Sequence, residues 1–131
     1  MMRASKVAEL IVTTPNEVGT MGRVFKLIAE AGVSIRAFCA YVQEDKGVFL
    51  LVTDDNAKAD SVLKAAAYET RSSEVVSVQV ESRVGTGAEI GTKLGDAGID
   101  IQHTYATSAV GGESVAILKT ADDDRALEVL G

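Results

Sequence analysis

Apolar and polar residues alternate strictly over Val76-Ser77-Val78-Gln79-Val80-Glu81. This is the period of two expected of a strand with one face buried. A similar stretch, Val7 to Thr14, lies near the start of the chain. After it the period lengthens: Met21, Val24, Phe25, Ile28 and Ala31 fall on one face of a helix. Gly32 and Gly98 stand where a left-handed residue would end such a helix without steric cost. A second strand is expected from Ser34 to Gln43, a hairpin turn at Glu44-Asp45-Lys46-Gly47 and a third strand from Val48 to Thr53. Asp54-Asp55-Asn56 supplies capping side chains for a second helix, whose inner face is Ala59, Val62, Leu63 and Ala66. Tyr68 to Ser72 completes the set as a fourth strand.

The same pattern recurs. Gly19-Thr20, Ala31-Gly32 and Val33-Ser34-Ile35 reappear as Gly85-Thr86, Ala97-Gly98 and Ile99-Asp100-Ile101, each 66 positions later. Leu10, Val12, Val18 and Ala40 match Val76, Val78, Val84 and Ala106 in that register. One inserted residue shifts the register by one, so that Val48, Leu51, Thr53, Ala59, Val62 and Leu63 match Val115, Leu118, Thr120, Ala126, Val129 and Leu130. So long a register with a single shift points to duplication. The order in each copy is β-α-β-β-α-β, the split βαβ of ferredoxin-like folds. The expected architecture is therefore α+β: two such repeats side by side, with antiparallel sheets and helices on one face. Residues 1–72 form the first repeat and 73–131 the second. The second lacks a fourth strand, which leaves the edge of its first strand open.

The chain has 131 residues, 47% of them hydrophobic and 24% charged, a globular composition. Its net charge of −6 and scattered Lys and Arg argue against nucleic acid as a partner. No apolar run approaches the roughly 20 residues of a membrane span, and the first residues lack the apolar core of a signal peptide, so a cytoplasmic protein without a membrane partner is expected. Cys39 is the one cysteine, and no Cys/His spacing suggests zinc. No cofactor motif is present, and no nucleophile, base and orienter fall at a recognisable spacing. No catalytic residue is assigned and an enzyme is not expected.

The turn before each first helix, with the glycine that ends the helix and the start of the next strand, resembles the ACT domain. The family pattern there is Asp-x-Pro-Gly, then a helix ending in Gly, then hydrophobic-Asn-Ile. This chain has Asn16-Glu17-Val18-Gly19 with Val33-Ser34-Ile35, and Ser82-Arg83-Val84-Gly85 with Ile99-Asp100-Ile101. The glycine and isoleucine match in both copies. Asn16 and Ser82 replace Asp, Val18 and Val84 replace Pro, and Ser34 and Asp100 replace Asn. The tandem layout is similar to short proteins made only of two ACT domains. The resemblance implies a regulatory, allosteric sensor holding an amino acid at the seam between domains. It also implies a homodimer and, as a further partner, a metabolic enzyme; an alternative is an interaction subunit that acts on such an enzyme and binds no ligand.

The residues the resemblance assigns to ligand binding are Asn16, Val18, Gly19, Thr20, Ser34 and Ile35 in the first copy. In the second they are Arg83, Val84, Gly85, Thr86, Asp100, Ile101 and His103. The chemistry suits a zwitterion. Free N–H groups at a helix start attract a carboxylate, Arg83 adds a cation, and Asp100, Asn16 or Ser34 can accept from an ammonium. His103 is expected in phase with Ile99 and Ile101, either half-buried or at the ligand. Cys39 reads as a core thiol, and Asp122-Asp123-Asp124 as a helix cap rather than a metal site. Gly87, Gly91 and Gly95 form a stripe on the second copy's first helix. Either Met21 or Phe25 packs on the stripe, or that helix is simply weak.

Overall fold

The computed structural model describes residues 2–107 and 112–131. Its elements are β1 (Arg3–Pro15), α1 (Thr20–Glu30), β2 (Ile35–Gln43), β3 (Lys46–Thr53), α2 (Asn56–Ala65), β4 (Glu69–Glu81), α3 (Thr86–Asp96), β5 (Ile101–Ala106), β6 (Glu113–Thr120) and α4 (Asp123–Leu130). The β-α-β-β-α-β order is thus present twice. The chain divides into two compact units, Ala8–Ser73 (the first unit) and Met1–Val7 with Glu74–Gly131 (the second).

In the first unit the strands run in the order β2-β3-β1-β4, the last contributed by Glu69–Ser73. β1 pairs antiparallel with β3, from Leu10 opposite Leu51 to Pro15 opposite Lys46, and β2 pairs antiparallel with β3. The core is Leu10, Val12, Val24, Ile28, Val33, Phe49, Leu51, Ala59 and Leu63. Every second residue of β1 and β3 meets α1 and α2, so both helices cover one face. Phe25 packs edge-on to Phe38, with ring centroids 4.9 Å apart.

The second unit repeats this arrangement residue for residue. Its core holds Val76, Val78, Ile90, Leu94, Ile99, Ala116, Leu118, Ala126 and Leu130, each the counterpart of a first-unit core residue, with Val80 added. The main loss of volume is at Ala116, which stands where the first unit has Phe49.

The fourth strand of the second unit corrects the sequence reading. Arg3–Val7, the start of β1, lies beside β4 and completes the sheet in the order β1-β4-β6-β5. Met2 and Ala4 pack against that unit's core. Lys6 reaches Glu74 at 3.4 Å and also pairs with Asp124, and Arg3 reaches Glu113 at 3.4 Å. The edge expected to be open is therefore paired, and the first seven residues belong with the second unit. The expected fourth strand of the first copy and the first strand of the second are one uninterrupted strand, β4.

Helix ends follow the expected chemistry. Gly32 and Gly98 are left-handed, with φ of 78° and 71°. The following N–H groups bond back across the last turn, Val33 N to Ile28 O at 3.2 Å and Ile99 N to Leu94 O at 2.9 Å. A side chain built on Gly87, Gly91 or Gly95 would meet no atom within 4 Å, so the glycine stripe lines open space.

Candidate functional site

Each strand-to-helix turn is set by a left-handed glycine. Gly19 has φ 89° and Gly85 φ 90°, and each is the N-cap of its helix. Such values cost any L side chain strain. No side chain caps the first N–H groups of α1 or α3, so both helix starts keep donors that an anion can take. Thr20 and Thr86 tie the turns by bonding back to the carbonyls of Glu17 (2.9 Å) and Arg83 (3.0 Å).

At the first turn lies a hollow of about 270 Å³, within the first unit. Asn16, Glu17, Gly19 and Thr20 form its polar side. Pro15, Met21, Tyr41, Val42 and Phe49 form its apolar side. Met21, Tyr41 and Val42 are large apolar side chains left between 44% and 57% exposed, a cost that an apolar group seated there would remove. Gly47 lets β3 close the floor: a Cβ there would stand 2.8 Å from the Thr14 hydroxyl. Arg23, which sequence reasoning did not single out, stands over the rim. Its guanidinium donates to Thr20 Oγ1 at 3.1 Å, lies 3.9 Å from the Glu17 carboxylate and would be 3.2 Å from a Cβ on Gly19.

At the second turn a hollow of about 160 Å³ is lined by Met2, Val80, Glu81, Arg83, Thr86, Glu89 and Lys93. Arg83 donates to Glu89 at 2.8 Å, and Lys93 lies 3.8 Å from the same carboxylate. Ser114, the counterpart of Gly47, brings its hydroxyl against that of Ser82, the counterpart of Asn16.

The expected site residues fall into separate groups. Asn16, Gly19 and Thr20 come together at the first hollow, while Val18 and Val84 are fully exposed and line neither hollow. Arg83 and Thr86 line the second hollow, and Gly85 shapes its turn. Ser34 and Ile35 lie at the other end of the first unit's sheet. Ile35 pairs with Thr53 and the hollow lies by Lys46, a strand length of about 23 Å. Asp100 and Ile101 stand at the matching end of the second unit, Ile101 opposite Thr120. There the Ser34 N–H donates to Asp54 Oδ1 (2.9 Å), and the Asp100 carbonyl accepts from Ala121 N (2.9 Å). Turn and strand start therefore do not meet within one unit.

His103 is half-buried, as one reading expects, but it is not in phase with Ile101. The pairing slips by one residue between Ile101 and His103, so Ile101 faces the core while His103 pairs with Lys119 and stacks on Tyr105, 6.3 Å between centroids, on the other face. Cys39, opposite Leu50, is likewise half-buried on the face away from the helices and belongs to neither core cluster.

Asp122-Asp123-Asp124 caps α4 as expected. Asp122 Oδ1 accepts from Arg125 N at 3.1 Å, and Asp123 Oδ1 accepts from the Thr120 hydroxyl at 2.7 Å and from Thr120 N at 3.0 Å. Burial opposes ionisation of Asp123. The Thr120 bonds and Lys119, 3.0 Å away, outweigh it and hold its pKa below the usual carboxylate value. Among the described residues no group of three or more His, Cys, Asp or Glu is placed to hold a metal, and no helix is long and apolar enough to cross a membrane.

A family model described as "ACT domain pair" matches residues 5–130. The chain belongs to the ACT domain-pair family. Solved structures agree in fold. A protein of Bacteroides thetaiotaomicron, BT0572, is similar with a TM-score of 0.89 at 21% identity, over 97% of this chain and 88% of that one. The ligand-free regulatory subunit of aspartate kinase from Thermus thermophilus is similar with a TM-score of 0.69 at 16% identity, over 97% and 93%. A structure of aspartokinase alpha and beta subunits gives 0.67 at 18% identity, over 98% and 94%. Comparison with curated proteins finds no match.

Proposed function

We propose that this ACT pair is a regulatory sensor that binds a free amino acid, with the glycine turn of the first unit as the main contact. The family is one of regulatory rather than catalytic domains, and this reading assigns no reaction to the chain. One observation carries it: the hollow at Gly19 sets an uncapped helix start and a loosely joined Glu17–Arg23 pair beside an exposed apolar wall. That combination suits a small zwitterion with a side chain. At about 270 Å³ the hollow falls just below the range of drug-sized pockets. In this reading Ser34, Ile35, Asp100, Ile101 and His103, at the strand starts, contribute to a site only from a neighbouring domain.

A thermal-shift screen of the twenty amino acids at millimolar concentration tests the proposal. A ligand at about 100 times its Kd adds about 2.7 kcal/mol to the folded state, so a true ligand raises Tm by several degrees. A flat response to all twenty sinks it. A second reading, a regulatory subunit that acts on a partner enzyme without a ligand, is supported by the likeness in fold to the aspartate kinase regulatory subunit. Its mark is an enzyme that co-purifies with the chain when no amino acid shifts Tm.

A further inference from the structure

We infer that the two turns are unequal: each chain takes one amino acid, of apolar side chain, at the first turn, where Arg23 holds its carboxylate, while the second turn is closed by the protein's own Glu89. This deepens the amino-acid reading above and rests on it.

The inequality comes from a reversed ion pair. Glu17 and Arg23 occupy the positions that Arg83 and Glu89 occupy 66 residues later. In the first unit the cation is on the helix and the acid on the turn, 3.9 Å apart, with side chains 53% and 66% exposed. Exposed pairs this loose contribute little, so a zwitterion can part them at small cost. Its carboxylate meets Arg23 and the uncapped N–H groups of α1. Its ammonium meets Glu17. The Arg23 guanidinium is already in place, since it touches Thr20 and overhangs Gly19, both of which line the hollow.

In the second unit the helix supplies the acid. Glu89 sits in the first turn of α3, where the dipole favours it, and takes Arg83 at 2.8 Å with Lys93 beside it. The cation of the second turn, Arg83, is therefore already taken by a carboxylate of the protein. The walls differ in the same sense. Met21, Tyr41 and Phe49 are replaced by Gly87, Thr107 and Ala116, and Gly47, which has no room for a side chain beside Thr14, is replaced by Ser114, whose hydroxyl meets that of Ser82. The second hollow consequently offers charged groups and little apolar surface. The first hollow has Glu17 as its charged lining residue, which excludes acidic side chains, and its apolar wall favours Leu, Met or Phe over Lys or Arg.

Calorimetric titration of the whole chain with L-leucine, L-methionine, L-phenylalanine, L-glutamate and L-lysine, alongside the remaining amino acids, tests this. The expected result is one equivalent per chain for an apolar amino acid. Arg23→Met should weaken that binding at least tenfold with the ligand-free Tm unchanged, whereas Arg83→Met should leave it as in the wild type. L-leucinamide, which lacks the carboxylate, should bind the wild type and Arg23→Met alike. Two equivalents per chain, a preference for a charged amino acid, or a loss with Arg83→Met in place of Arg23→Met overturns the inference and leaves the sensor reading standing. No heat from any of the twenty amino acids overturns both.

Discussion

Gly19 and Gly85 hold the same left-handed backbone, and the helices they start end in the same way. The residues on that backbone differ. The first turn has an apolar wall and an open ion pair; the second has a charged lining, a closed ion pair and bonded serines. The nine matched core positions show the opposite behaviour, keeping their apolar character throughout. Duplication thus retained what folding demands of each copy, a set of buried side chains and a glycine where φ is positive, while the solvent-facing chemistry diverged.

The sharpest test of that likeness is in the cores. Ile28 and Leu94 are matched and fully buried. Truncation of either to Ala should cost about 2–5 kcal/mol, read from urea unfolding. A much smaller cost at Leu94 than at Ile28 would break the equivalence. Next come the turns. Gly19→Ala and Gly85→Ala should each lose about 1–2 kcal/mol in thermal unfolding, the cost of a left-handed L residue. The first should also displace Arg23, and equal losses of ligand affinity from both would erase the difference between the turns.

The smallest effect concerns acid. Asp123 has a lowered folded pKa. Its contribution is therefore present above the unfolded value, about 3.9, and lost as pH falls through the lower folded one. The matched residue of the first unit, Asn56, accepts from Thr53 N at 3.0 Å in the same way and carries no charge. Asp123→Asn should keep the fold and flatten part of the decline in stability below about pH 4. An unchanged acid limb in urea titrations from pH 7 to pH 2 would show that Asp123 does not carry it.

Much of this was legible in one dimension. The repeat register named six of the nine paired core positions, leaving out Val24 with Ile90, Ile28 with Leu94 and Phe49 with Ala116, and the caps at Gly32, Gly98, Asp55 and Asp122 follow from local chemistry. What escaped depends on contacts distant in sequence or on a shift of phase. The slip between Ile101 and His103 reverses which face His103 takes, and alternation alone carries no sign of it. Arg23 reads as a solvated helix residue until its side chain is seen folded back over Gly19. Arg3–Val7 is short and mostly polar, and its role appears only once β4 is found beside it. The ligand residues split because a turn and a strand start lie at opposite ends of one sheet.

The strand formed by Arg3–Val7 has a corollary for dissecting the chain. The first unit is one contiguous stretch, Ala8–Ser73, whereas the second draws a strand from the far end of the sequence. A fragment ending at Ser73 therefore carries every strand and helix of the first unit, and one starting at Glu74 lacks the strand that Arg3–Val7 supplies.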